Sequence, residues 1–314
     1  MSEIPLIVVA GPTASGKTGL AIEIARYIGG EIVSADSMQI YKYMDIGSAK
    51  PTKEERAAAV HHMIDFLEPD AEYSVADYTR DAHKVIADIR SRGKMPVMCG
   101  GTGLYINSVV NDITFGEMET DYNLREELRK TAEEKGGDFL IEMLREFDPV
   151  SAERLHPNNL KRVIRAIEFY KLTGVPISEH QEETKRHKSR YNPLMMCIEW
   201  DRDVLYDRTN KRVDLMFKEG LTDEVKRLRK MGYTRDLNSM QGIGYKEVMD
   251  FLDGKYTFDE TVEIIKQSTR RYAKRQMTWL RRDERIHRLP GGNAFEEAKK
   301  IIDNTKEFAK EVTD

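Results

Sequence analysis

A glycine-rich segment near the N-terminus has the residue types of a phosphate-binding loop, and it follows the apolar run 5–10. It comprises Gly11, Pro12, Thr13, Ala14, Ser15, Gly16, Lys17 and Thr18. Backbone N–H groups of such a loop can surround a diphosphate, the lysine can reach its oxygens, and the last hydroxyl can face Mg²⁺. The N-terminus of a following helix adds positive potential. The segment predicts a diphosphate site with Thr18 as a metal ligand, without deciding which diphosphate.

Two polar residues follow apolar runs of strand pattern further along the chain. Asp36 ends the run 31–36, and Thr102 follows the run 95–99 between glycines. Ligands of parallel sheets bind at the carboxyl ends of the strands, so we expect both residues to share a cleft with the phosphate loop. There a carboxylate can act as a general base or ligate magnesium, whereas a threonine between glycines is also typical of a turn.

A strongly basic segment lies near the C-terminus of a chain whose net charge is −4. Between residues 266 and 288 nine basic residues face only two acidic ones: Lys266, Arg270, Arg271, Lys274, Arg275, Arg281, Arg282, Arg285 and Arg288. On a helix, 266, 270 and 274 form a stripe of like charges that repel each other. A solvated face remains one interpretation, but a polyanionic partner explains a stripe of one sign better.

The elements that must position these residues alternate between strand and helix patterns over about the first 110 residues. Strands are predicted at 5–10, 31–36 and 95–99, and helices at about 17–27 and 74–92. Ser74 and Asp77 have the spacing of a capping box at the start of the second helix. The alternation predicts an α/β fold, a P-loop NTPase-like, mostly parallel sheet flanked by helices.

Residues 116–190 have an almost purely helical pattern and are predicted to form a helical insertion domain. Strand pattern returns at 194–198, and the remaining residues are mainly helical, with a helix end at Gly220. The predicted domains are therefore an α/β core of residues 1–115 and 191–314 and an insertion of residues 116–190.

Composition excludes several classes of protein. Of 314 residues, 40% are hydrophobic and 33% charged, which is typical of a globular protein. Cys99 and Cys197 lie in apolar runs, are too few for a zinc site and suit a reducing compartment. We find neither a signal peptide nor an apolar run of the ~18 residues that a membrane helix needs. We expect a cytoplasmic monomer that does not associate with membranes.

Seven segments resemble motifs of the tRNA dimethylallyltransferases, also called tRNA isopentenyltransferases. They are GPTASGKT (11–18), SADSMQ (34–39), MDIGSAKP (44–51), HHMID (61–65), GGTGLY (100–105), QGIGY (241–245) and TRRYAKRQMTWLR (269–281). The resemblance covers nearly the whole chain, and two cysteines leave no room for the zinc finger of eukaryotic relatives, which indicates the bacterial type. It implies transfer of a dimethylallyl group from dimethylallyl diphosphate to N6 of adenosine 37 of tRNA.

The resemblance also implies roles for four catalytic residues. Asp36 would accept the hydrogen bond, and then the proton, of the adenine amine. Lys17, a Mg²⁺ ion and Arg212 would stabilise the leaving diphosphate, although Arg212 could equally form a surface salt bridge. Thr102 would contact the reacting groups.

The implied partner is a tRNA with adenines at positions 36 and 37, the second of which must be flipped out of its stack to react. The candidate tRNA-binding residues are Asp36, Ser37, Met38, Gln39, Thr102, Arg125, Lys161, Arg162, Arg165, Gln241, Gly242, Ile243, Gly244, Tyr245, Lys274, Arg275, Gln276, Thr278, Trp279 and Arg281. Lys161 stands where the family usually has glutamine, and Trp279 could instead belong to the core. The insertion is expected to contact the anticodon stem-loop.

Three other functions stay open on sequence alone. An adenylate isopentenyltransferase acting on free nucleotide would share the phosphate loop and Asp36 but would not need the basic C-terminal motif. A P-loop small-molecule kinase would bind ATP and would have little use for that motif. An RNA-binding module with a merely structural phosphate loop is disfavoured because Asp36 and Thr102 are predicted beside the loop.

Overall fold

The computed structural model describes residues 3–115, 121–186 and 188–308. The chain divides into two compact units, residues 1–110 with 190–314 and residues 111–189. The predicted boundary after residue 115 adjoins residues 116–120, which lie outside the described residues. No helix in the described ranges is both long and apolar enough to cross a membrane.

The first unit is built on a six-stranded sheet in which every pairing is parallel. Its strands are β1 (Ile4–Ala10), β2 (Glu31–Ala35), β3 (His61–His62), β4 (Pro96–Gly100), β5 (Tyr191–Glu199) and β6 (Ile286–Pro290), in the order β3-β2-β4-β1-β5-β6. The predicted fold class is confirmed. The register pairs Gly100 with both Ala10 and Ala35, so three strands end at one level.

Fourteen α-helices are found in the described part of the chain. They are α1 (Lys17–Ile28), α2 (Lys53–Ala58), α3 (Val75–Ser91), α4 (Gly103–Val110), α5 (Tyr122–Lys135), α6 (Gly137–Arg145), α7 (Pro149–Arg154), α8 (Leu160–Thr173), α9 (Ile177–Arg186), α10 (Arg202–Lys218), α11 (Leu221–Lys230), α12 (Tyr245–Leu252), α13 (Phe258–Leu280) and α14 (Ala294–Asn304). The capping box of Ser74 and Asp77 opens α3 as predicted. Gly220, with φ 100°, separates α10 from α11 because a left-handed residue ends a helix at little cost.

Apolar side chains cover both faces of the sheet because strands buried on two sides place alternate residues against each layer. On one face Val8, Val33 and Met98 pack against α3, α4 and α13. On the other, Ile7 and Val9 pack against α1 and α14. Burial also raises the pKa of the free thiols of Cys99 and Cys197 to about 12. Both cysteines are thus inert core residues.

A third apolar cluster, which we call the helical cluster, extends the first unit beyond the end of β2. It joins Ile40, Tyr41 and Met44 to buried residues of α10, α11, α12 and α13. The segment 36–50, which connects β2 to this cluster, is therefore held from both sides. Its φ is positive at Tyr43 and Ala49, a conformation that non-glycine residues adopt only when the surroundings impose it.

The second unit consists of α5, α6, α7, α8 and α9 around its own apolar core. Glu168 of α8 is fully buried, and its carboxylate accepts hydrogen bonds from Arg125 and Arg165, with N–O distances of 2.9 Å. A buried carboxylate needs such partners, since an unpaired charge is costly to bury.

Candidate active site

The phosphate loop lies between β1 and α1, and only part of it is open to an anion. Among its backbone N–H groups, Gly11 donates to Gly100 O (3.2 Å), Thr13 to Gln276 Oε1 (3.0 Å) and Ser15 to Pro12 O (3.3 Å). The N–H groups of four loop residues have no acceptor among the described residues: Ala14, Gly16, Lys17 and Thr18. Converging free donors at a helix N-terminus favour an anion.

Gln276 of α13 fastens this loop to the end of β4. Its buried amide accepts from Thr13 N and donates to Gly101 O at 2.9 Å. A Cβ on Gly101 would lie 2.2 Å from Gln276 Nε2, so the close approach requires glycine. Both ends of the Gln276 amide thus have internal partners while the side chain also lines the cavity, and its predicted RNA contact stays a prediction.

Asp36 and Thr102 meet just beyond the carboxyl ends of β2 and β4. Asp36 Oδ1 accepts from Met38 N (2.9 Å) and Gln39 N (3.4 Å), which closes a tight turn. Thr102 Oγ1 accepts from Ser37 N (3.1 Å), and its own N–H donates to Ala35 O (3.1 Å). The two strand ends are thereby tied together, and Oδ2 of Asp36 has no hydrogen-bond partner in the described part of the chain.

One cavity of about 960 Å³ brings together about half of the predicted site residues, and Thr102 is not among those that line it. Those lining it are Thr13, Gly16, Lys17, Thr18, Asp36, Ser37, Met38, Gln39, Arg212, Gln241, Gly242, Ile243, Arg275 and Gln276. Residues 45–53 form a further part of its wall. Its size and mixed lining suit a ligand larger than a single diphosphate.

Arg212 of α10 brings to the cavity a cation without a partner among the described residues. Its guanidinium is partly buried, and it has no hydrogen bond or ion pair within the described ranges. Burial lowers the pKa of Arg212, and the charges of Glu219 and Glu55 oppose that shift. A desolvated cation without a partner is costly in isolation, so its position is best explained by an anionic ligand.

Tyr272 of α13 is a cavity residue that the sequence reasoning missed. Its side chain faces Asp36 and Thr102, and burial first, then the Asp36 charge, raises the pKa of this phenol to about 12. The guanidinium of Arg275 lies 5.6 Å from the ring centroid. Its i, i+4 relation to Gln276, which places both side chains on one face of the helix, was a usable signal.

The buried side chain of Gln39 holds the segments of the cavity wall together by hydrogen bonds. Its Nε2 donates to Ala49 O (3.0 Å) and Ser48 O (3.4 Å), and its Oε1 accepts from Ser34 Oγ (3.2 Å). The side chain is buried. The side chain of Gln39 therefore links two loops, and its predicted RNA contact stays a prediction.

The segment 241–245 is split between surface and core. Gln241 is exposed and donates to the carbonyl of Arg235, whereas Tyr245 is only 1% exposed. Its hydroxyl donates to Glu224 Oε1 at 2.8 Å, and burial and that carboxylate raise the pKa of Tyr245. The side chain of Tyr245 thus belongs to the helical cluster, and its predicted RNA contact stays a prediction. Gly242 remains at the cavity, and Gly244 has a φ of 98°.

The basic stripe predicted on α13 is also divided. Lys266 pairs with Asp214 (2.7 Å) and Arg270 bonds to Asn210 (2.5 Å), so both side chains are engaged by α10. By contrast Lys274, Arg275, Thr278 and Arg281 are exposed. Trp279 is half-buried, and a Cβ on Gly103 would lie 2.7 Å from its ring. The outward face of α13 can meet phosphates, and the inward face supports the cavity.

In the second unit, the predicted RNA-contacting arginines differ in how they are engaged. Arg125 and Arg165 bind Glu168, whereas Lys161 and Arg162 are exposed on α8. The pairing with Glu168 gives Arg125 and Arg165 a structural role whatever else they contact.

A magnesium ion could be held at the phosphate loop but not by a protein cage. No group of three or more His, Cys, Asp or Glu side chains that could hold a metal occurs in the described ranges. Thr18 lines the cavity beside the free N–H groups. This donor set fits Mg²⁺, which is commonly bound by few protein ligands together with substrate phosphates and water.

Comparison with known proteins gives a consistent family. The model of the family described as IPP transferase matches residues 39–283, and that described as isopentenyl transferase matches residues 4–65. A tRNA dimethylallyltransferase of Acetivibrio thermocellus is 52% identical over 303 residues, 96% of each chain.

Two solved structures are similar over nearly the whole chain. One is a tRNA isopentenylpyrophosphate transferase of Staphylococcus epidermidis, with 41% identity, a TM-score of 0.70 and coverage of 96% of this chain and 99% of that one. The other is a eukaryotic dimethylallyltransferase acting on tRNA, with 29% identity, a TM-score of 0.83 and coverage of 95% and 78%.

Proposed function

The chain belongs to the IPP transferase family of tRNA dimethylallyltransferases, and from this premise we propose how its cavity performs the transfer. The protein transfers a dimethylallyl group from dimethylallyl diphosphate to adenosine in tRNA. We propose that the acceptor atom is N6 of adenosine 37. The observation that carries the proposal is one cavity lined by Lys17, Arg212, free loop N–H groups and the Asp36 carboxylate.

The diphosphate is held at one end of the cavity. The N–H groups of Ala14, Gly16, Lys17 and Thr18 face its oxygens, and Lys17 and Arg212 supply opposite charge. These donors stabilise the charge that grows on the leaving group, which is where catalysis gains most. A Mg²⁺ ion on Thr18 and the diphosphate would neutralise part of that charge.

The adenine occupies the other end of the cavity, beside Asp36. The N6–C bond forms as the C–O bond to diphosphate breaks, and the proton of N6 passes to Asp36 Oδ2. Oδ2 is available because it has no hydrogen-bond partner among the described residues. Oδ1, in contrast, accepts from the Met38 and Gln39 N–H groups. Thr102 and Tyr272 limit the space around the carboxylate.

The tRNA must present adenine 37 outside its stack, at a cost of a few kcal/mol. We propose that exposed basic residues bind the backbone and thereby offset this cost. Those of α13 are Lys274, Arg275 and Arg281, and those of α8 are Lys161 and Arg162. Phosphate contacts of this kind position RNA without reading its sequence.

We further propose that a monomer suffices and that it acts in the cytoplasm. Both cysteines are free, which suits the reducing compartment where tRNA is modified.

Incubation with dimethylallyl diphosphate, Mg²⁺ and unmodified tRNA bearing adenines at positions 36 and 37 tests the proposal. Nucleoside digestion and mass spectrometry should find N6-dimethylallyladenosine at position 37. AMP and ATP serve as parallel acceptors. Prenylation of AMP but not tRNA would select an adenylate isopentenyltransferase, and ATP turnover without prenylation would select a kinase.

A further inference from the structure

A buried carboxylate of α11 holds a turn of the cavity wall from behind. Glu224 is 1% exposed, and its Oε2 accepts from Asp45 N (3.0 Å) and Ile46 N (2.9 Å). Its Oε1 accepts from Gly47 N (3.1 Å). Three successive backbone donors thus converge on one anion, and charge-assisted bonds in a low dielectric are stronger than neutral ones.

Tyr245 completes the attachment of this turn. Its hydroxyl donates to Glu224 Oε1 at 2.8 Å, and a Cβ on Gly47 would lie 2.6 Å from its ring. The ring therefore presses directly on the backbone of the turn. Glu224 and Tyr245 together clamp residues 45–47 to the helical cluster.

A chain of hydrogen bonds runs from the clamped turn to the catalytic carboxylate. Ala49 O, two residues beyond the turn, accepts from Gln39 Nε2 at 3.0 Å. Gln39 N in turn donates to Asp36 Oδ1 at 3.4 Å, beside the stronger bond from Met38 N. The position of Asp36 is thereby coupled to Glu224, whose side chain does not line the cavity.

We propose that Glu224 is a positioning residue for prenyl transfer, which fixes the 45–50 wall and, through Gln39, aims Asp36 at the adenine. This inference rests on the proposed function of Asp36 as the general base. A general base must lie within hydrogen-bond reach of its proton, and a misplacement of about 1 Å can cost roughly 10²-fold in rate. Glu224 does not touch the phosphate loop, so its effect should fall on the chemical step.

The test compares Glu224→Gln with Glu247→Gln as the matched control. An amide can accept with one oxygen only and turns its NH₂ toward backbone N–H groups, so the turn should be released. Glu247 is also buried in the helical cluster and accepts a backbone bond, from Gly244 N at 2.8 Å, but it has no bond to residues 45–47 among the described contacts.

Single-turnover rates with saturating substrates, the Kd of dimethylallyl diphosphate and Tm are measured for each protein. We expect Glu224→Gln to lower the rate about 10- to 100-fold and to leave the Kd unchanged. Glu247→Gln should lower Tm comparably and keep the wild-type rate. Gly47→Ala, which pushes the turn off the Tyr245 ring while keeping the carboxylate, should also lower the rate and decides the question if Glu224→Gln does not fold.

Equal rate losses in the two glutamine variants, an unchanged rate in Glu224→Gln, or a Kd that rises as the rate falls would overturn the positioning role. An unchanged rate in Gly47→Ala would do the same. Absence of tRNA prenylation by the wild-type protein would instead refute the proposed function, so the two failures are distinguishable.

Discussion

The two ends of the cavity are built on opposite plans. At the diphosphate end, the N–H groups of Gly16, Lys17 and Thr18 and the guanidinium of Arg212 have no partner among the described residues. At the adenine end, the side chain of Gln39 and Oδ1 of Asp36 are engaged by hydrogen bonds from neighbouring loops.

The free donors of one end and the engaged groups of the other have different consequences for the reaction. Unpartnered donors and cations are stabilised by a ligand that brings negative charge, so the diphosphate end gains energy on binding. At the adenine end, hydrogen bonds to Oδ1 hold Asp36 in one orientation, which is what the proposed general base requires. The diphosphate end thus stabilises negative charge, and the adenine end fixes the orientation of Asp36.

The largest effect should come from the adenine end. Asp36→Asn removes the proton acceptor but can keep the turn bonds through its amide oxygen, so we expect the single-turnover rate to fall about 10²- to 10⁴-fold. The affinity for tRNA, measured by filter binding, should stay unchanged. Asp203→Asn, an exposed change on α10, is the control and should retain the wild-type rate. A wild-type rate in Asp36→Asn would remove the assigned base.

The second-largest effect should come from Arg212, the cation without a partner among the described residues. Arg212→Met should lower kcat/KM for dimethylallyl diphosphate about 10²- to 10³-fold, because a donor to the developing charge is lost. Its neighbour Lys211 has a side chain that is 75% exposed and pairs with Asp207. Lys211→Met should therefore match the wild type in the same assay. Equal values for the two variants would show that charge near the cavity, rather than the Arg212 contact, is what matters.

A smaller effect should come from Gln276, which links the phosphate loop to the end of β4. Gln276→Leu leaves Thr13 N and Gly101 O unpaired, which should destabilise the fold by about 1–3 kcal/mol and reduce activity. Urea unfolding measures the first and prenylation assays the second. Gln267, exposed on the same helix, provides the control Gln267→Leu, which should change neither. If the two variants unfold alike, Gln276 does not support the loop.

The smallest expected effect is on the affinity for tRNA and its dependence on salt concentration. Lys274→Ala with Arg281→Ala should weaken tRNA binding and reduce the salt slope by about one unit per lost phosphate contact. Lys266→Ala with Arg270→Ala removes the same charge from side chains that face α10, and should leave the slope unchanged. Identical slopes for both pairs would show that net charge alone attracts the tRNA.

Local patterns predicted much of this architecture. The phosphate loop, the strand ends at Asp36 and Thr102 and the capping box of α3 all follow from residue types at short spacing. The strands β3 and β6 were not predicted, because β3 has only two residues and β6 lies within the basic segment.

The internal roles of Gln39, Gln276 and Tyr245 were beyond reach from sequence for a different reason. Amide and phenol groups suit RNA and protein partners equally, and their engagement depends on which side of each turn or helix is buried by distant segments. Tyr272 was missed because its neighbours in space, Asp36 and Thr102, come from other strands.

The decisive experiment is a crystal structure of the protein with tRNA and an unreactive analogue of dimethylallyl diphosphate. We expect the diphosphate to lie against the N–H groups of Gly16–Thr18 and to contact Arg212. We also expect Asp36 Oδ2 to lie within about 3 Å of adenine N6. A diphosphate bound away from Arg212, or an Asp36 carboxylate that points away from the flipped adenine, would contradict the proposed mechanism.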